Sequence, residues 1–151
     1  GIKHNQEAVA ETIENNVRKK IIQDHLTDPA YFEEMSRLLH EVIKERRTNA
    51  IDYEAYLKKI ADLAKKVNIP AKDKLPECIK NSSARRALYN NLNHDEQLAV
   101  VMDEAVRYVK KADWRGNDAK EREIKKALYD ILKYVNEVER IFPIIKQQHE
   151  Y

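Results

Sequence analysis

Apolar side chains recur every three or four residues along almost the whole chain, and this spacing places them on one face of an α-helix. The first such stretch covers roughly residues 5 to 23. Its apolar stripe has an interval of four residues and consists of Val9, Ile13, Val17 and Ile21. We expect this stripe to be buried, because helices in proteins are stabilised mainly by packing of their apolar face.

Two further helices are predicted before residue 68. Asp28 followed by Pro29 is a good N-cap and first-turn pair, and it predicts a helix that ends near Arg46 and Arg47. The inward residues of this helix are Phe32, Met35, Leu39 and Val42. Asp52 is placed to cap the next helix, and the short connection after Arg47 favours an antiparallel hairpin. The inward residues of that helix are Tyr53, Tyr56, Leu57, Ile60, Ala64 and Val67.

The helical period stops between residues 68 and 81. Pro70 and Pro76 exclude a regular helix there, because proline lacks a backbone N–H and its ring clashes with the preceding turn. We therefore expect a hinge between two sub-halves, at about residues 1–67 and 82–151, within one all-helical domain that spans residues 1–151.

The pattern resumes after the hinge. Ser82 is placed to cap a short helix that runs through Leu92, and Asn93 with Glu96 resembles a capping box for the next helix. The inward residues of that next helix are Leu98, Val101, Met102, Ala105, Val106 and Val109.

The segment Trp114-Arg115-Gly116-Asn117 predicts a corner between helices. Gly116 supplies the stop, and Asn117 or Asp118 caps the following helix. The inward residues of that helix are Ile124, Leu128, Ile131, Leu132 and Val135. Residues 137–148 are helical in composition, but Pro143 must bend this last helix or delay its start. The prediction is an all-α bundle of about six to seven helices.

Composition supports this fold class and restricts the partners only weakly. The chain has two glycines and four prolines in 151 residues, too few for a protein built of strands and tight turns. Charged residues make up 36%, but they nearly cancel to a net charge of +2. This balance neither supports nor excludes contact with nucleic acid.

The lone Cys78 rules out an internal disulfide and fits a reducing, cytoplasmic location. No apolar run approaches the roughly 20 residues that span a bilayer, and no signal peptide is visible, so no membrane partner is expected. A start at Gly1, without methionine, suggests a fragment excised from a longer protein.

The residues that usually carry catalysis or bind cofactors do not occur in the required patterns. A phosphate-binding loop needs several glycines, and the five histidines lack metal-ligand spacing. Two triplets, Asp118-Ala119-Lys120 and Glu123-Ile124-Lys125, match the short acidic-x-lysine pattern of restriction nucleases. They lie in a strongly helical stretch, which favours a solvated face with ion pairs over a nuclease centre. We expect no catalytic, metal or cofactor site in this chain.

Most paired cations have a local explanation. Arg46-Arg47, Lys65-Lys66 and Lys110-Lys111 each lie at the end of a predicted helix, where positive charge complements the helix dipole. Arg85 and Arg86 differ, because they lie early in a helix and so favour an external anionic partner. Trp114, at a corner beside Arg115, either anchors a protein interface or closes the bundle. The candidate partner-binding residues are therefore Arg85, Arg86, Trp114 and Arg115.

Four segments are more specific than helix formation requires. The first is Val9–Lys19, with the run Glu-Asn-Asn-Val-Arg-Lys, and the second is residues 52–60, with Tyr-x-x-Tyr-Leu-x-x-Ile. The third, residues 84–92, has Ala-x-x-Ala-Leu-Tyr-Asn-Asn-Leu, and the fourth is the Trp-Arg corner of residues 113–117 followed by residues 120–124. In order and spacing, these segments resemble the C-terminal helical region of the restriction (R) subunit of type I restriction-modification enzymes.

The resemblance covers about Val9 to Tyr151, and Pro143 departs from the helical ending of the family. It implies a part of an ATP-driven DNA translocase and endonuclease, whose nuclease and two RecA-like motor domains precede this region and use ATP and Mg²⁺. No catalytic residue of the family maps onto this chain. The implied role is a non-catalytic assembly domain that supports the motor and docks to the methyltransferase and specificity subunits. The alternative is a helical module that contacts DNA and guides the duplex.

Overall fold

The computed structural model describes residues 1–151 and is helical throughout, without strands, so the prediction of an all-α bundle is confirmed. The α-helices are α1 (Ile2–Asp24), α2 (Pro29–Arg47), α3 (Tyr53–Asn68), α4 (Glu77–Lys80), α5 (Ser83–Asn91), α6 (Glu96–Val109), α7 (Asp118–Leu132) and α8 (Val135–Lys146). A 3₁₀ turn, His25–Thr27, separates α1 from α2. The one-turn helix α4 lies in the segment where the sequence predicted only a hinge. No helix combines the length and the apolar character that crossing a lipid bilayer requires.

The chain divides into two compact units. Unit 1 consists of Gly1–His25 and Tyr31–Ala71, and unit 2 consists of Leu26–Ala30 and Lys72–Tyr151. The boundary after Ala71 falls inside the segment from 68 to 81 where the sequence predicted a hinge. The short segment Leu26–Ala30, which belongs to unit 2, was not predicted.

Unit 1 is built from α1, α2 and α3. The hydroxyl of Tyr31, near the start of α2, donates to the carbonyl of Lys66 at the end of α3, with 2.5 Å between the oxygens. Glu45, near the end of α2, pairs at 2.7 Å with Lys59 in α3. The start of α2 thus contacts the end of α3, and the end of α2 contacts an earlier part of α3. The two helices are therefore antiparallel, and the predicted hairpin is confirmed. Asp52 caps α3 as predicted, because its carboxylate accepts a hydrogen bond from the Ala55 amide at 2.8 Å.

The predicted buried face is correct for α2 and partly wrong for α1. In α2, Phe32, Met35, Leu39 and Val42 are buried as predicted, together with Ile43. In α1 the buried residues are Ala10, Glu14, Val17 and Ile21, whereas Val9 is 49% exposed. An interval of four residues turns about 40° further around a helix at each step. Val9, at the far end of the stripe, has therefore rotated towards solvent.

Unit 2 has its core among α4 to α8. Ser82 caps α5 as predicted, since its hydroxyl accepts a hydrogen bond from the Arg85 amide at 3.1 Å. The predicted cap at Asn93 is wrong: Asp95 caps α6, and Asn93 lies in a left-handed turn with φ of 57°. The prediction of an inward Val101 is also wrong, because this side chain is 48% exposed on the far side of α6 from Val106.

The corner before α7 has the predicted caps. Gly116 adopts a φ of 81°, a left-handed conformation that costs glycine little, and Asn117 accepts a hydrogen bond from the Lys120 amide. Helix α7 ends at Leu132, so the prediction that Val135 belongs to its buried face is wrong; Val135 begins α8 and is 63% exposed. Pro143 lies inside α8 and does not delay its start.

Candidate interaction surface

Arg85 and Arg86 bind groups of unit 2 itself. Arg85 donates from Nε to Asp103 at 2.7 Å and from Nη1 to the carbonyl of Cys78 at 3.0 Å. Its hydrogen bond to Asp103 raises the pKa of the guanidinium. Arg86 donates to the carbonyl of Lys80 at 2.6 Å. The two residues therefore fasten the start of α5 to α4 and α6.

Asp103 is the centre of a buried polar network that the sequence did not indicate. Its side chain is fully buried, and its carboxylate also accepts hydrogen bonds from Arg107 and from the Tyr151 hydroxyl, the latter at 2.5 Å. A buried charge is tolerated when it is paired and hydrogen-bonded, as here. Burial, together with the bond to Asp103, raises the pKa of Tyr151, so this hydroxyl stays protonated and remains a donor.

Glu150 fastens the end of the chain to the start of α5. Its carboxylate accepts hydrogen bonds from the Ser82 hydroxyl at 2.7 Å, the Ser83 hydroxyl at 2.8 Å and the Ala84 amide at 3.0 Å. Arg107 adds an ion pair at 2.6 Å. Burial raises the pKa of Glu150, but these hydrogen bonds outweigh it and lower the pKa to about 2. The carboxylate is therefore ionised at neutral pH.

Trp114 does not lie at an exposed corner. Its side chain is 2% exposed and packs edge-on against Phe142, with 6.1 Å between ring centroids. Its indole Nε1 has no hydrogen-bond acceptor. The sequence predicted either an interface anchor or a residue that closes the bundle; the side chain is part of the core of unit 2. The expectation that Trp114 lies at an exposed corner is therefore corrected.

Arg115 binds backbone carbonyls at the end of α8 and just after it. It donates to the carbonyl of Lys146 at 2.8 Å and to that of Gln148 at 2.5 Å, and its guanidinium lies 4.4 Å from the centroid of the Trp114 ring. These contacts hold the segment after α8 against the corner. Contact between a partner and any of the four predicted residues stays a prediction.

In unit 1, an ion pair links α1, α2 and α3. Arg46 donates to both carboxylate oxygens of Glu14, at 2.8 and 3.0 Å, and the Tyr56 hydroxyl donates to the same carboxylate at 2.9 Å. Glu14 is 2% exposed and Tyr56 is fully buried. Arg46, which the sequence assigned only to the end of a helix, is thus a link within the core.

The two acidic-x-lysine triplets lie at the first turn and along the side of α7. Glu123 pairs with Lys111 at 3.0 Å, and Lys125 pairs with Glu139 at 3.3 Å. These are the ion pairs of a helix face that the sequence predicted. No group of three or more histidine, cysteine, aspartate or glutamate side chains is placed to hold a metal ion.

A different set of residues forms an exposed surface on α7. Arg122, Lys126 and Tyr129 fall within roughly 60° of one another around the helix axis, and Lys133 is the left-handed residue that ends the helix. The residues that follow α7 are exposed as well, Tyr134 by 70% and Val135 by 63%, and Tyr129 in α7 is 46% exposed. We call this surface the α7 outer face; it consists of Arg122, Lys126, Tyr129, Lys133, Tyr134 and Val135.

The cations of the α7 outer face have no partners within the chain. Lys125 and Lys120, on other sides of α7, bind Glu139 and the carbonyl of Ala112. The side chains of Arg122, Lys126 and Lys133 take part in no hydrogen bond or ion pair. Sequence reasoning missed this face, because Asp118 precedes Arg122 by four residues and Asp130 follows Lys126 by four. Such spacing predicts ion pairs, but neither pair forms.

Comparison with protein-family models, curated proteins and solved structures gives no match to this chain.

Proposed function

We propose that this chain is a non-catalytic, cytoplasmic helical assembly domain of the kind found at the C-terminal end of type I restriction R subunits. In this role its helical units support an ATP-driven DNA motor in the parent subunit and dock that subunit to the methyltransferase and specificity subunits. The proposal assigns no bond-breaking step to this chain.

One observation carries the proposal: separate segments of the resemblance meet in the fold. Glu14, from the run Glu-Asn-Asn-Val-Arg-Lys, accepts a hydrogen bond from Tyr56, in the Tyr-x-x-Tyr segment 42 residues away. The two segments therefore belong to one packed unit, as a common structural framework predicts.

Unit 2 provides a second support of the same kind. The third segment of the resemblance places Ala84, Ala87 and Leu88 in the buried core. The fourth places Trp114 in the same core and Arg115 on the carbonyl of Lys146 at the end of α8. The distinctive residues thus build the helical units, as they would in a scaffold whose role is to hold other parts in place.

The test uses the full-length parent subunit and its deletion variant without residues 1–151. We expect the deletion to abolish co-sedimentation with the methyltransferase and specificity subunits, while DNA-stimulated ATP hydrolysis by the motor persists. A finer comparison uses Glu14→Ala, which breaks the core ion pair, and Glu11→Ala as a matched control, because Glu11 is exposed on the same helix. Glu14→Ala should weaken assembly and Glu11→Ala should not.

Two results would defeat the proposal. Full assembly by the deletion variant would show that these residues are not needed for docking. An upstream reading frame without helicase motifs would show that the parent is not a restriction motor.

A further inference from the structure

We propose that the α7 outer face is a docking surface for an acidic protein segment, which inserts carboxylates between its cations and packs an apolar side chain on its tyrosines. This inference rests on the proposed function, since it names the surface through which the assembly domain would bind a neighbour. It also moves the candidate interface away from the Trp114 corner.

The charges of this face have no counterpart within the chain. Arg122 and Lys126 are one helical turn apart, and Lys133 follows two turns later, so the three cations extend over about 16 Å of the helix. All three are exposed and none has an acidic partner. Asp118 and Asp130, each four residues from one of these cations, bring the net charge of this side of the helix to about +1. A segment whose carboxylates contact the individual unpaired cations would complement them.

The apolar part of the face lies at one end, where α7 turns into α8. Tyr134 and Val135 are adjacent and mostly exposed, and Tyr129 lies one turn before Lys133. Tyrosine is enriched at the centres of protein interfaces, because its ring contributes a large contact area and its hydroxyl still bonds to polar groups. Exposed tyrosines near unpaired cations therefore fit a mixed, apolar and acidic partner.

A protein partner fits this face better than the phosphate backbone of a nucleic acid. Val135 has no hydrogen-bonding side chain and no ring to stack on a base. The chain as a whole has a net charge of only +2, which offers little long-range attraction to a polyanion.

The test compares full-length parent subunits in a titration with the methyltransferase and specificity subunits. We expect Tyr134→Ala to weaken assembly roughly tenfold, as for an interface aromatic. The double variant Lys126→Gln/Lys133→Gln should also weaken it, and its loss should shrink as salt rises. The matched controls are Tyr108→Ala, 91% exposed on α6, and Lys58→Gln, an unpaired lysine on α3; both should assemble like the unaltered subunit.

Zero-length carbodiimide cross-linking identifies the partner chemistry. We expect Lys126 or Lys133 to be joined to aspartate or glutamate of a neighbouring subunit, and Lys58 to remain free. Unchanged assembly in the variants of the α7 outer face would overturn the assignment of this surface. If the deletion of residues 1–151 still abolished docking, the proposed assembly role would stand. Weaker binding of duplex DNA in the lysine variants, with normal subunit assembly, would overturn the protein partner in favour of nucleic acid.

Discussion

Tyr151 donates a hydrogen bond of 2.5 Å from its hydroxyl to the carboxylate of Asp103, a residue that is fully buried in α6. The two residues are 48 positions apart in sequence. The guanidinium of Arg107 bonds to the same carboxylate and lies 5.2 Å from the centroid of the Tyr151 ring. The last residue of unit 2 is thus part of its core, and the polar network of Asp103 depends on it.

Removal of the Tyr151 hydroxyl should destabilise unit 2. Tyr151→Phe keeps the ring but removes one donor from a buried carboxylate, so we expect a loss of about 2 kcal/mol in the free energy of unfolding. Urea denaturation followed by the fluorescence of Trp114 measures this loss, because Trp114 is the sole tryptophan and lies in the same core. Tyr108→Phe is the control. Equal stability of the two variants would contradict the role assigned to the bond.

Removing one partner of the Glu14–Arg46 ion pair should destabilise unit 1 strongly, whereas replacing both partners by apolar residues should destabilise it little. Glu14→Ala leaves Arg46, whose side chain is 12% exposed, without its partner, and it also removes the acceptor for Tyr56. We expect a loss of about 3 kcal/mol, measured by urea denaturation and far-ultraviolet circular dichroism.

The double variant Glu14→Leu/Arg46→Met provides the complementary test. It replaces both charges with apolar groups, so it should recover most of the stability that Glu14→Ala loses. A double variant as unstable as Glu14→Ala would show that packing around Glu14, and not the unpaired charge, determines the loss.

The stability of unit 2 should depend on pH through Glu150. The pKa of this carboxylate is lowered from 4.5 to about 2 in the folded chain, so the ionised form is favoured by folding. Its contribution is complete above the unfolded pKa and is lost as the pH falls through 4.5 towards 2. At pH 7 we expect Glu150→Gln to be less stable by about 1–2 kcal/mol, with allowance for solvent screening.

The difference between Glu150→Gln and the unaltered chain should shrink by about half at pH 3. Urea denaturation at pH 7 and pH 3, again followed by Trp114 fluorescence, measures it. Glu104→Gln is a suitable control, because Glu104 is 65% exposed and its contact with Arg85 is 4.0 Å long. A constant difference across this pH range would mean that Glu150 acts through its shape and not through its charge.

Trp114 should prove to be a core residue. Trp114→Ala removes a buried indole and should cost about 3–5 kcal/mol. Trp114→Phe should cost much less, because it keeps an aromatic ring beside Phe142 and removes a buried N–H that has no acceptor. Circular dichroism is the readout, since these variants lack the fluorophore. A folded Trp114→Ala variant with unchanged stability would contradict the burial of this side chain in the core.

Local chemistry in the sequence predicted much of the fold. The caps at Asp52, Ser82 and Asn117 were found where they were expected, because each depends on a side chain and an amide three residues later. The predicted cap at Asn93 was wrong because two residues of the same turn can cap a helix, and Asp95 is the one that caps α6. The predicted burial of Val9 was wrong because residues spaced four apart do not stay on one side of a long helix.

Local sequence patterns could not predict the polar contacts between helices. Arg85 looked free because it lies early in a helix, but its partner, Asp103, comes from another helix. No local pattern singled out Glu14, but Arg46 and Tyr56 converge on it from α2 and α3. Charge pairs between distant helices require the arrangement of the helices to be known first. The α7 outer face was missed for the opposite reason, since nearby acids suggested pairs that do not form.

Leu26–Ala30 belongs to unit 2, although the chain on both sides of it belongs to unit 1. In unit 2, the amide of Gln148 donates to the Thr27 carbonyl at 2.8 Å, and Asn91 donates to Asp28 at 2.8 Å. A single proteolytic nick after Ala71 would consequently not yield two self-sufficient pieces. The downstream piece would lack its acceptors at Thr27 and Asp28, so the nicked halves should stay associated until denaturant separates them.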